Sequence, residues 1–147
     1  MTARRRSTSA IETYTARMRG AIKWIMLVSG ALTCTMVYAA FAPQAMLQST
    51  FGETLEGPLA DLVVRNWGAL IFLVGAMLIY GAFNASVRPL VLIVAAASKV
   101  VFIALVLANG GRFLRGQAAI SITVDSLMVV LFASYLAFPG KSLQERR

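Results

Sequence analysis

Four long apolar runs organise this chain, and the last two each hold a single charge near the middle. The first run is Trp24 to Ala42, preceded by Arg17, Arg19 and Lys23 and closed by Pro43. The second extends from Leu62 to Phe83, with Arg65 and Asn66 near its start. The third is Leu90 to Asn109, interrupted by Lys99. The fourth is Gln117 to Phe138, interrupted by Asp125 and closed by Pro139 and Gly140. A helix needs about 17–25 apolar residues to cross a bilayer. Buried strands are far shorter, about 4–8 residues, and the runs lack the alternation of a membrane β-barrel. The pattern therefore predicts an all-α fold: an integral membrane four-helix up-down bundle with spans near 24–42, 62–83, 90–109 and 117–138. Residues 1–20 read as a basic N-terminal segment, 21–139 as the helical domain and 140–147 as a short tail.

The connections differ in kind. Residues 84–89 read as a tight turn, with Pro89 in the first turn of the third helix, where its missing N–H costs nothing. Residues 110–116 read as a short loop. The longest connection, 43–61, carries Met46, Leu47, Phe51, Leu55 and Leu59 at roughly helical spacing. It predicts a short interfacial helix broken near Gly52 or Gly57-Pro58. Ala40-Phe41-Ala42 resembles a signal-peptide cleavage site, but Pro43 would follow the cut, so the first run is expected to be an uncleaved span.

Charge orients the spans. Arg4, Arg5, Arg6, Arg17, Arg19, Lys23, Arg88, Lys141, Arg146 and Arg147 all fall on one side. The other side has Arg65, Arg112 and Arg115 together with Glu53, Glu56 and Asp61. By the positive-inside rule both termini are expected to be cytoplasmic. Composition agrees with a membrane setting: 59% of residues are apolar, 14% are charged, and the mean hydropathy is +0.74. The net charge of +8 comes from residues flanking apolar runs, which argues for the lipid bilayer as partner and against nucleic acid. The compact layout without linkers points to a bacterial inner membrane.

Lipid supplies no hydrophobic drive for helix association, so small residues mark the packed faces. Gly68, Gly75 and Ala82 recur at intervals of seven on the second span and are expected at the tightest helix contact. The first span offers Ser29, Gly30, Thr33 and Cys34 in the same sense. The alternative use of the 68/75/82 face is a homo-oligomer or association with another membrane protein.

Lys99 and Asp125 carry the main functional signal. A charge at a span centre costs about 2.5–3.5 kcal/mol on insertion scales and calls for a partner. Lys99 lies about 15 Å past Pro89, and Asp125 about 12 Å from the opposite surface, so the two reach similar depth in a core about 30 Å thick. A Lys99–Asp125 pair is the natural arrangement. Ser98 and Ser121 are expected beside it, with Arg65 and Asn66 as rival or supporting polar groups. Three uses stay open: a salt bridge that sets helix register, a proton- or substrate-linked site, and snorkelling without pairing.

The chain has no histidine and a single cysteine, Cys34, which excludes His-based metal or haem sites and an intrachain disulfide. It contains no phosphate loop, metal-ligand set or nucleophile–base pair. The expectation is a non-enzymatic membrane protein without cofactors, structural or partner-associating. The alternative is an oligomeric transporter or channel subunit built on Lys99 and Asp125.

Overall fold

A computed structural model of the chain describes residues 20–110, 112–114 and 116–137. The basic segment before Gly20, Arg115 and the tail from Phe138 onward lie outside the described residues. The described chain is all helical. It contains α1 (Gly20–Phe41), α2 (Pro43–Phe51), α3 (Pro58–Phe83), α4 (Arg88–Ala108) and α5 (Gln117–Ala137). Among the described residues, α1, α3, α4 and α5 are long and apolar enough to cross a membrane, which marks a multi-pass membrane protein.

Proline and glycine set most of the boundaries. Pro43 disfavours helical geometry at the residue before it, and Ala42 accordingly breaks α1 from α2 at φ −129° and ψ 69°. α2 ends at Gly52, which takes the left-handed φ of 73° and donates its N–H to the Gln48 carbonyl. Gly57 precedes α3 at φ 105°, and Pro58 opens that helix. The second span thus begins four residues before Leu62, because Pro58 is preorganised for a first helical turn and Asp61 adds a favourable charge there. Within α1, Thr35–Val37 tightens into a 3-10 turn, and the Thr35 hydroxyl donates to the Leu32 carbonyl at 2.6 Å.

Two clusters hold the helices at their ends. Ile22 of α1, Leu78 and Ala82 of α3, Val91 and Leu92 of α4 and Phe132 of α5 meet around Met26 and Ala95. The starts of α1 and α4 therefore lie with the ends of α3 and α5. At the other end, Ala39 of α1, Leu47 of α2 and Val64 of α3 form a smaller cluster backed by Phe51 and Trp67. The Phe51 ring sits 5.6 Å from Phe113 in an edge-on arrangement, which ties α2 to the α4–α5 loop. Gln44 of α2 donates to Asp61 Oδ1 at 2.7 Å, binding the short helix to the start of α3.

α1 and α3 approach closely at their glycines. A Cβ placed on Gly75 would stand 2.7 Å from Cys34 Sγ and 2.8 Å from both Cys34 N and Gly30 O. One placed on Gly30 would meet Gly75 O at 2.9 Å. One placed on Gly68 would meet Ala39 Cβ at 2.7 Å and Met36 O at 2.9 Å, beside the tightened turn of α1. Gly68, Gly75 and Ala82 are all buried inside the chain, so this face packs on α1 rather than on a second copy. Large apolar side chains such as Leu70, Leu73, Ile93 and Leu105 cover the outside, as lipid contact requires.

Two changes test this packing. Gly75→Leu would drive a side chain into the α1 backbone and is expected to destabilise the protein by at least about 2 kcal/mol, read by thermal unfolding in detergent. Unchanged melting would refute the glycine contact. Arg88 is buried at the α3–α4 turn, where Nε and Nη2 donate to the carbonyls of Gly81 at 3.2 Å and Ala82 at 3.1 Å. Arg88→Met is expected to cost about 2 kcal/mol through these lost charge-assisted bonds, measured in the same way.

Candidate functional site

The site is assembled by two helical stripes. On α4, Ala95, Ser98, Lys99 and Phe102 share one side by their spacing of three and four. On α5, Gln117, Ser121, Val124, Asp125 and Met128 do the same. Both stripes face the same interhelical space, which α1 and α3 complete with Ser29, Thr33, Trp67 and Ile71. The cavity measures ≈ 290 Å³.

Lys99 Nζ donates to Asp125 Oδ1 across this space, forming a salt bridge between α4 and α5. The two side chains are 10% and 19% exposed, so the pair sits on the cavity wall rather than in a sealed core. Among the described residues, Asp125 is the one acceptor that Lys99 meets, so two ammonium hydrogens remain uncommitted. Ser121, one turn before Asp125, and Ser98, next to Lys99, both line the cavity without bonding to the pair. Thr123, two residues before Asp125, turns its hydroxyl to the Ala119 carbonyl at 2.9 Å.

Arg65 and Asn66 are not part of this site. Arg65 is exposed and its Nη1 donates to the carbonyls of Ala40 at 2.6 Å and Phe41 at 3.4 Å. The physical reason is the break at Ala42. It leaves the last carbonyls of α1 without helical donors, and the nearest guanidinium takes them. Asn66 is exposed, with no side-chain hydrogen bond among the described residues. A net positive cluster of Arg65, Lys99 and Asp125 therefore does not form, and the site holds one cation and one anion.

Several lining residues are not apparent from charge placement. Ser29 is 1% exposed, lines the cavity and carries a hydroxyl that has no hydrogen-bond partner. Its signal in the sequence is a hydroxyl one turn from Thr33 within an apolar run, a pattern that also suits plain helix packing. Trp67 and Phe102 line both this cavity and a second one of ≈ 260 Å³ bounded by Leu47, Phe51, Leu105 and Phe113. They stand as a shared aromatic wall between the bundle centre and the α2 end. Leu32 at 52% and Ile120 at 65% exposure flank the cavity from α1 and α5, so its side between those helices opens toward the hydrocarbon.

No known protein family, curated protein or solved structure matches this chain. The functional reading therefore rests on the geometry of the cavity and its charges.

The pairing has a direct test. Lys99→Asp and Asp125→Lys each place two like charges face to face and are expected to cost about 3 kcal/mol or more. The double exchange is expected to recover most of that loss in detergent unfolding. Absence of recovery would refute direct pairing.

Proposed function

We propose that this chain is a small multi-pass protein of the bacterial inner membrane that works by non-covalent association inside the bilayer rather than by catalysis. In this reading α1, α3, α4 and α5 run up and down across the membrane, with both termini cytoplasmic. The positive residues near the spans support that orientation. The observation that carries the proposal is the cavity itself. Its wall is mostly apolar, it holds a neutralised ion pair, and its opening is flanked by Leu32 and Ile120, which face lipid. Such a cleft suits a structural or partner-associating membrane protein that receives a group from within the bilayer. The lipid bilayer is the medium, and a second copy or another membrane protein is the natural macromolecular partner.

A second reading has its own support. Trp67 and Phe102 form the wall common to both cavities, so a rearrangement of two side chains would join the bundle centre to the α2 end. That arrangement favours a subunit of an oligomeric transporter or channel, with Lys99 and Asp125 on the path.

Water access separates the two. In a Cys34→Ser background, Ser98→Cys and Ser121→Cys place thiols on the cavity wall without touching the ion pair. For the association reading, a membrane-impermeant thiol reagent is expected to leave both unlabelled, while Arg112→Cys and Lys141→Cys react from opposite sides of the membrane. Labelling of positions 98 and 121 would overturn it in favour of transport, and same-side labelling of 112 and 141 would overturn the orientation.

A further inference from the structure

We infer that the cavity between α1, α3, α4 and α5 is a binding site for an uncharged amphiphile of one or two rings bearing a hydroxyl or carbonyl group. This rests on reading the cleft as an association site, and it specifies the chemistry of the occupant.

Size sets the first limit. A dry cavity of about 150 Å³ accommodates benzene. The space here is ≈ 290 Å³, close to double that. One substituted ring or a fused pair fits within it.

Charge sets the second limit. Lys99 and Asp125 already neutralise one another. A charged occupant would leave one net charge in a low-dielectric space, which is strongly unfavourable. The occupant is therefore neutral.

Hydrogen bonding sets the third. Ser29 offers a buried hydroxyl with no partner, on the α1 side of the cavity. Lys99 keeps donors beyond its bond to Asp125 on the α4 side. A group left without a partner in such surroundings is unfavourable, and a ligand that supplies the bond recovers that cost. A hydroxyl or carbonyl meets this need. The remaining wall is apolar: Leu32, Met36, Ile71, Val74, Phe102 and Met128 receive the ring. Access runs through the lipid-facing side at Leu32 and Ile120, so the molecule arrives from the bilayer.

The two tryptophans make the test direct. Trp67 lines the cavity, whereas Trp24 is 69% exposed on α1. A Trp24→Phe protein in lipid nanodiscs reports on Trp67 alone. p-Bromophenol, neutral at pH 7 and a heavy-atom quencher, serves as probe, with bromobenzene as the comparison lacking the hydroxyl. Saturable quenching by p-bromophenol is expected, with bromobenzene at least about fivefold weaker. Ser29→Ala is expected to weaken p-bromophenol by about fivefold, the worth of one hydrogen bond. Ser121→Phe, which fills the cavity, is expected to abolish saturation. Because Ser29 and Ser121 line this cavity and not its neighbour, they also assign the binding to it. Equal binding of both probes and indifference to Ser29→Ala would overturn the polar recognition. Linear quenching that matches in the Ser121→Phe protein would show partition into lipid only and overturn the site. Either failure leaves the thiol-labelling pattern unchanged, so it is distinct from a failure of the association reading.

Discussion

The absence of a Cβ at Gly30 and Gly75 is the constraint on which the arrangement depends. Lipid gives helices no hydrophobic reason to associate, so their attraction must come from close contact. Here the backbones of α1 and α3 approach until each glycine faces a carbonyl or amide of the other helix. Gly68 extends the contact to the tightened turn of α1. With α1 held against α3, the positions of Ser29 and Thr33 relative to α4 and α5 follow. The cavity exists because α1 is committed to α3 and leaves its other flank open.

The ion pair answers a different problem. Either charge alone would be costly at this depth. Together they are neutral and link α4 to α5, the helix with the fewest buried residues. A buried pair adds little net stability against apolar replacements. It does, however, keep polar atoms at the centre of the bundle, where otherwise only aliphatic packing would occur. The pair and the unpartnered Ser29 hydroxyl together place polar groups on an otherwise largely apolar wall.

The cations at the helix ends share one role, which is to complete backbone carbonyls that the helices cannot satisfy. Arg88 does this for the end of α3 and Arg65 for the end of α1. Both had simpler readings in sequence, as an orienting charge and as a partner for Asp125. The carbonyls they serve are created by the breaks after Phe83 and Phe41, and their geometry exists only once the chain turns back. By contrast, the Arg112–Glu53 pair, exposed at 69% and 48%, contributes little beyond holding two loops near each other.

The sequence alone determined the four long apolar helices, the short helix in the longest connection, and the matching levels of Lys99 and Asp125 along their two helices. These depend on hydrophobic length, on Pro43, Gly52 and Pro58 as boundary residues, and on a fixed rise per residue, all of which are local. It also marked Gly68, Gly75 and Ala82, because small residues at a regular interval leave a readable face. Which helix that face meets was decided by the tertiary structure, since a glycine stripe suits an intramolecular and an intermolecular contact equally well. The same holds for the cavity. Ser29, Trp67, Phe102 and Asp125 come from different helices, and a void between helices depends on how far apart rigid bodies are held, a quantity that no single segment encodes.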